Sequence, residues 1–247
     1  MPKIAVVTDF DGTLMEQDVG DMLMEELGVL NEKQVIEASR LFREKKVGSL
    51  AWIEAAYPLL AGQQEQVDRL IESVNLRDGA RDFIDFCQQK DVPVTVLSDG
   101  MLYYIEQILS RQQMKVNRII GNPIQYSTDG EFQFGVQNTN AACKWCGCCK
   151  ASVVKQLKED GWLVIYIGDG SSDYYGSGFA DWIFARGSLA RYLTEEGTNF
   201  YPFETFHDIL SILRLTWPSY LNGTANRRLR GRFPASCKFL ELEDKTS

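Results

Sequence analysis

Lys3-Ile4-Ala5-Val6-Val7-Thr8-Asp9-Phe10-Asp11-Gly12-Thr13 runs an apolar, largely β-branched segment straight into two carboxylates and a glycine. The first six residues predict a short strand, apolar at successive positions as in a parallel strand buried on both faces. Paired acids at the end of such a strand place polar groups at the carboxyl edge of a sheet, where open parallel sheets bind their ligands.

Further strands follow at Val92–Leu97, Arg118–Gly121, Trp162–Ile167 and Trp182–Ala185. Helical periodicity lies between and after them at 79–90, 101–113, 150–159, 188–196 and 206–215. Gln125–Phe134, with Thr128-Asp129-Gly130 at its centre, carries a hairpin signal. Strands alternating with helices imply an α/β fold, a Rossmann-like parallel sheet with helices on both faces. One block breaks the alternation. From Val19 to Leu76 the apolar residues recur at three- and four-residue spacing and no strand is evident, which predicts a small inserted α-helical cap. The expected organisation is a core of residues 1–14 and 78–215, a cap of 15–77 and a C-terminal extension of 216–247. That extension holds Arg227, Arg228, Arg230 and Arg232 and reads as a solvated basic tail.

The net charge of −8 argues against nucleic acid or an anionic membrane as partner. No apolar run approaches the roughly 20 residues of a membrane span, and the N-terminus lacks a signal-peptide pattern. A cytoplasmic protein with reduced cysteines is expected, either monomer or homodimer. The single histidine, His207, lies far from every motif in sequence, which leaves little room for Ser-His or Cys-His catalysis.

Two more carboxylate-bearing turns follow predicted strands: Ser98-Asp99-Gly100, and Gly168-Asp169-Gly170-Ser171-Ser172-Asp173. Together with Asp9 and Asp11 they suit phosphoryl transfer. A carboxylate nucleophile is repelled by an anionic phosphate, so it needs screening by a hard divalent cation such as Mg²⁺. Asp9 is the expected nucleophile and a metal ligand. Asp11, two residues on, is the expected acid/base, with its backbone carbonyl toward the metal. Asp169 adds a metal carboxylate, and Asp173 supports the site. Ser98 and the amides of Asp99 and Gly100 are candidate phosphate donors. Lys150 is the expected balancing cation.

These motifs, in this order, resemble the haloacid-dehalogenase-like phosphatases over roughly residues 3 to 215. The resemblance implies Asp9 as nucleophile, Asp11 as acid/base, and Asp9, the Asp11 backbone and Asp169 as Mg²⁺ ligands. The helical insertion is similar to the cap of the phosphoserine-phosphatase-like branch. Asp18 stands, by its distance from the first motif, where those enzymes carry a substrate-binding Glu. Arg40 and Arg43 are further candidate substrate contacts on the cap. Lys33, Lys45 and Lys46 keep open the Schiff-base route of phosphonate-cleaving members.

Cys143-Lys144-Trp145-Cys146-Gly147-Cys148-Cys149-Lys150 is the least ordinary stretch. Reduced structural thiols, a metal site and a labile disulfide are its three readings. Its Gly-Cys-Cys-Lys segment resembles the methionine-salvage phosphatases that act on 2-hydroxy-3-keto-5-methylthiopentenyl-1-phosphate. Phosphoethanolamine/phosphocholine phosphatases share the core. The lid sequence, Ser98-Asp99-Gly100 in place of Ser-Gly-Gly, and the basic tail depart from the salvage pattern. The expected partner is a small phosphorylated metabolite. Phosphoserine, phosphoethanolamine, phosphocholine or pyridoxal phosphate, phosphonate cleavage, phosphoryl transfer to a sugar, and a redox- or metal-sensing protein on the same fold are the alternatives.

Overall fold

The structure, a computed structural model, describes residues 2–225 except 128–130, 139, 141 and 142. The basic tail and the centre of the hairpin therefore lie outside the described residues.

Strand β1 (Lys3–Thr8) leads into a wide turn at Phe10–Leu14, and four helices follow: α1 (Val19–Glu26), α2 (Lys33–Arg43), α3 (Ser49–Ala56) and α4 (Gln64–Ile71). The chain then alternates through α5 (Ala80–Gln89), β2 (Val94–Met101), α6 (Leu102–Arg111) and β3 (Arg118–Asn122). A hairpin of β4 (Ile124–Tyr126) and β5 (Phe132–Phe134) comes next, pairing Ile124 with Phe134. After the cysteine loop come α7 (Lys150–Glu159), β6 (Trp162–Gly168), α8 (Ser171–Gly176), β7 (Trp182–Ala185), α9 (Gly187–Glu195), β8 (Tyr201–Pro202) and α10 (Phe206–Leu221).

Six strands form one parallel sheet in the order β3-β2-β1-β6-β7-β8. Successive residues of β1 serve opposite faces, as the two-residue period of a strand requires. Ile4 and Val6 join the core beneath α5 and α10, while Val7 joins Val154 of α7 and Leu189 and Leu193 of α9. Strand order runs outward in opposite directions from β1 and β6, which opens a crevice at their carboxyl ends.

The insertion contains helices and no strand among the named elements, as its periodicity predicts. Its two ends meet. Met15 bridges Leu76, the Glu16 amide donates to the Asn75 carbonyl (3.1 Å), and the Arg77 amide donates to that of Leu14 (2.9 Å). Leu23, Val35, Ile53, Val67 and Ile71 join its helices to the main core.

Two details differ from the sequence expectation. The edge strand β8 is only two residues long, too short to leave a periodic signal. Helix α10 continues past Leu215 through Pro218 to Leu221. Proline there forfeits its own amide bond, yet the Asn222 amide still donates to the Pro218 carbonyl (3.1 Å). Trp217 packs edge-on against Phe86, and Tyr220 against Trp182, with centroids 5.6 Å and 4.3 Å apart, which holds the last turn on the core.

Candidate active site

Asp9 sits where β1 leaves the sheet, and its amide donates to the Ile167 carbonyl at the end of β6 (2.9 Å). The next turn carries Gly12 at φ 68°, and a Cβ there would lie 2.7 Å from Asp169 Oδ2. The position thus needs glycine for its backbone and for the approach of Asp169. Arg77 fixes this turn. Its guanidinium donates to the carbonyls of Gly12 (2.7 Å), Thr13 (2.9 Å), Met15 (3.2 Å) and Glu16 (3.0 Å). Arg186 adds a bond to the Gly12 carbonyl at 3.0 Å.

Lys150, at the start of α7, is buried, and its Nζ lies 2.6 Å from Asp9 Oδ1 and 2.8 Å from Asp173 Oδ1. Burial works against the ammonium, but Asp173 and Asp9 outweigh it and hold its pKa well above the ordinary value. Asp173 Oδ1 also accepts from Tyr166 Oη (2.7 Å), and its Oδ2 accepts from the amides of Asp169 (3.0 Å) and Gly170 (2.9 Å). Asp169 accepts from Thr13 Oγ1 at 2.7 Å.

Among the described residues, Asp9, Asp169 and Asp173 form the set of three carboxylates whose ligand atoms lie within 4.8 Å of one another. Sequence placed Asp9, Asp11 and Asp169 on the metal with Asp173 in support. In the structure Asp173 already accepts four hydrogen bonds. That leaves it to orient Lys150 and the turn after β6. Oδ2 of Asp9 and Oδ2 of Asp169 receive no donor from the described residues.

Asp11 brings a fourth carboxylate beside this cluster, which the Lys150 ammonium and the Arg186 and Arg77 guanidiniums offset in part. Burial, then repulsion from Asp173, pushes Asp9 well up, and the same two causes push Asp169 up to about 6. This excess of buried negative charge, on hard oxygen donors only, fits a divalent cation such as Mg²⁺.

In the unfolded chain an aspartate loses its proton near pH 3.9. In the folded chain desolvation and the neighbouring Asp173 let Asp169 keep its proton to about 6. The folded state binds more protons across that interval, so its stability falls as pH rises. In chelator the melting temperature is expected to drop from about pH 4 to beyond about pH 6, and Mg²⁺ to recover most of the loss at the upper end. A flat profile in chelator, or one indifferent to Mg²⁺, would contradict this electrostatic picture.

The Asp11 carboxyl is held from three sides. Oδ2 accepts from Tyr104 Oη (2.6 Å) and Ser98 Oγ (3.0 Å), and Oδ1 accepts from the Val19 amide (3.1 Å). Burial raises its pKa, while those donors act to lower it. Ser98, Asp99 and Gly100 lie in a bulge of β2, between the Leu97–Ile120 and Met101–Asn122 pairs, and not in a turn beyond the strand. The Gly100 amide donates inward to Ser98 Oγ at 2.9 Å. The buried Asp99 carboxyl accepts from the Cys148 amide at 2.6 Å and from Ser49 of the insertion.

The insertion roofs a cleft of about 910 Å³ lined by Asp9, Asp11, Asp169, Asp18, Arg43 and Trp52, among others. Asp18 caps α1 by accepting from the Asp21 amide (2.8 Å). Arg40 is not in the cleft lining; its guanidinium pairs with Glu37 (2.6 Å) and Glu44 (2.7 Å) one helical turn away on the outer face of α2. Of the three insertion lysines considered, Lys45 lines the cleft, while Lys46 pairs with Glu44 (2.6 Å). His207 stands away from the site, 3.4 Å from Asp78.

The five described cysteines are free, and the set of three metal-capable groups includes none of them. The loop instead docks the insertion. The Leu50 amide donates to the Trp145 carbonyl (3.2 Å), and the Gly147 amide to Ser49 Oγ (3.1 Å). Sequence reasoning missed Arg77, Arg186 and Tyr104. All three act on partners distant in sequence, and no local pattern marks them.

The family described as Putative Phosphatase matches residues 4–190, and the chain belongs to it. Fold and relatives together make it a phosphatase of the haloacid-dehalogenase type. The 2-hydroxy-3-keto-5-methylthiopentenyl-1-phosphate phosphatase of Lysinibacillus sphaericus is 28% identical over 86% of this chain and 94% of its own. The enzyme of that name from Geobacillus thermodenitrificans is 30% identical over 86% and 96%. A phosphoserine phosphatase solved as a phospho-aspartyl intermediate analogue shares the fold, with TM-score 0.63 and 20% identity over 87% of this chain and 99% of that one. No helix among the described residues is long and apolar enough to cross a membrane.

Proposed function

We propose that the protein is a Mg²⁺-dependent phosphomonoesterase working through an aspartyl-phosphate on Asp9, with 2-hydroxy-3-keto-5-methylthiopentenyl-1-phosphate or a close analogue as substrate. The observation that carries the chemistry is the Lys150 ammonium bridging Asp9 and Asp173 in the crevice between β1 and β6, beside Asp169. The relatives' names support the substrate.

Asp9 carries the attacking oxygen. Its bond to phosphorus forms as the ester O–P bond breaks, and the departing oxygen takes a proton from Asp11. Water then attacks the phosphorus, gives a proton to Asp11, and the Asp9 O–P bond breaks to release phosphate. Lys150 keeps the Asp9 carboxylate oriented and offsets charge as the phosphate arrives. Asp9, the Asp11 backbone and Asp169 would hold Mg²⁺, which screens the nucleophile from the phosphate and stabilises charge on the transferring group. Ser98 donates to a phosphate oxygen once it exchanges its Asp11 partner, with the Asp99 and Gly100 backbone beside it.

The unit at 15–77 acts as a cap over the core, excluding bulk water and reading the leaving group through Asp18 and Arg43. The core, begun by residues 1–14 and resumed at 78, closes with α10 at Leu221. A reducing, cytoplasmic setting belongs to the same reading.

Phosphate release should be measured on the methylthiopentenyl ester, phosphoserine, phosphoethanolamine, phosphocholine and pyridoxal phosphate, with Mg²⁺ and with chelator. The methylthiopentenyl ester is expected to exceed the others by at least about tenfold in kcat/KM, a difference of about 1.4 kcal/mol in transition-state binding, and chelator to abolish release. No release from any member with Mg²⁺ bound would remove the reading. Preference for another member would remove the substrate alone.

A further inference from the structure

We propose that Tyr104 is the positioning residue for the acid/base: its hydroxyl ties one oxygen of the Asp11 carboxyl to the core, leaving the other to exchange a proton with the leaving group and then with water. The inference rests on the phosphatase reading and extends it to a residue outside the strand-end motifs.

The geometry separates the two oxygens. Oδ2 is held by core groups, at 2.6 Å from Tyr104 Oη and 3.0 Å from Ser98 Oγ. The Asp11 carboxyl otherwise meets backbone donors at the start of α1 in the insertion, the Val19 amide on Oδ1 at 3.1 Å with the Gly20 amide beside it. Ser98 cannot serve two anions at once. When its hydroxyl turns to a phosphate oxygen, Tyr104 is the remaining side-chain donor on Asp11.

The structure reserves space for this contact. A Cβ on Gly100 would lie 1.9 Å from Tyr104 Oη and 2.6 Å from Asp11 Oδ2, so the pair fits only where β2 offers a glycine. The tyrosine is fully buried, and its ring lies 6.0 Å from that of Phe10, between Asp9 and Asp11. Ring and hydroxyl are therefore both anchored to the turn that carries the nucleophile. A carboxyl held in this way meets the ester oxygen in one orientation, whereas a freely rotating one meets it in several.

The test compares two kinds of leaving group. Phosphoserine, phosphoethanolamine, phosphocholine and pyridoxal phosphate are alkyl esters that depart as alkoxides and need a proton, whereas the methylthiopentenyl ester is an enol phosphate and departs as a stabilised enolate. p-Nitrophenyl phosphate departs as a stabilised phenolate and needs none. kcat/KM would be measured with Mg²⁺ on p-nitrophenyl phosphate and on whichever of the four alkyl esters is turned over fastest. The proteins are the unaltered chain, Tyr104→Phe, Asp11→Asn and the double variant. Phe keeps the ring against Phe10, and thermal melting checks the fold.

Tyr104→Phe is expected to lose about tenfold more on the alkyl ester than on p-nitrophenyl phosphate. The double variant should be no slower than Asp11→Asn, since the tyrosine acts through the carboxyl. Equal losses on both esters, losses that add in the double variant, or no loss at all would overturn the proposal. If the unaltered protein hydrolyses no panel ester and no p-nitrophenyl phosphate in Mg²⁺, the phosphatase reading fails and takes the proposal with it. The unaltered protein's own rates tell that outcome from the others.

Discussion

Asp9→Asn is expected to abolish turnover, by about 10⁴-fold or more as for loss of other covalent nucleophiles, while the metal-free protein becomes more stable. The two effects have one origin. Asp9 is buried, and its ionised form is disfavoured first by that burial and then by Asp173, with Asp169 and Asp11 adding to the repulsion against the pull of Lys150. An amide of the same shape removes a charge the fold tolerates only for catalysis. Lys150 keeps its bond to Asp173 at 2.8 Å. Relief of that repulsion is expected to raise Tm, by about 2–4 °C for each 1 kcal/mol gained in a domain of this size. Melting in chelator and phosphate release in Mg²⁺ check the two halves. Activity within tenfold of the unaltered protein would remove Asp9 as nucleophile, and a lower Tm would show that its charge is a net contributor to the fold.

Lys150→Ala is expected to be costly in both respects. It strips the counter-charge from two buried carboxylates. Breaking a buried ion pair from one side costs about 3–5 kcal/mol, with Tm falling by about 10 °C. Asp173 retains Tyr166 and two backbone amides, so the damage should concentrate on Asp9. Two consequences separate this from simple loss of packing. Acidification toward pH 5 should recover part of the stability, because Asp9 accepts a proton there more readily than an exposed aspartate does. Adding Asp9→Asn to Lys150→Ala should recover part of it at neutral pH. Phosphate release should fall by about 10³-fold, the scale on which preorganised charge contributes to such reactions. A Lys150→Ala protein that melts like the parent, or that neither acid nor the second substitution rescues, would deny the ammonium its balancing role.

Much of this site was legible in the chain because its parts lie next to strands that announce themselves. Lys3–Thr8 and Trp162–Gly168 are nearly unbroken apolar runs, and the aspartates follow within a residue or two, so a correct strand end locates the carboxylate. Lys150 opens a helix and is placed as easily. Other features could not be seen because they depend on where distant segments meet. Arg77 serves carbonyls 61 to 65 positions away, and Tyr104 reaches an acid 93 residues earlier. Arg40 failed for the opposite reason. Glu37 and Glu44, one turn away on the same helix, bind it more simply than any ligand in the cleft. For the cysteine loop, composition left structural thiols, a metal site and a disulfide open; its described cysteines are free, and its backbone groups make contacts between Trp145 and Leu50 and between Gly147 and Ser49. Ser98-Asp99-Gly100 sits in a bulge that only the partner strand reveals.

The pairing of Met15 with Leu76 reaches beyond the insertion it closes. Seen from the sheet, everything between those two residues begins and ends at one spot, like a single surface turn. The strand ends that carry Asp9 and Asp169, and the helix that begins at Lys150, are indifferent to what is spliced there, provided the ends meet. Such an arrangement allows the inserted segment to vary without disturbing the aspartate cluster. Arg77 stands beside that junction with its guanidinium on the turn after Asp9, so any segment grafted there inherits the same anchor.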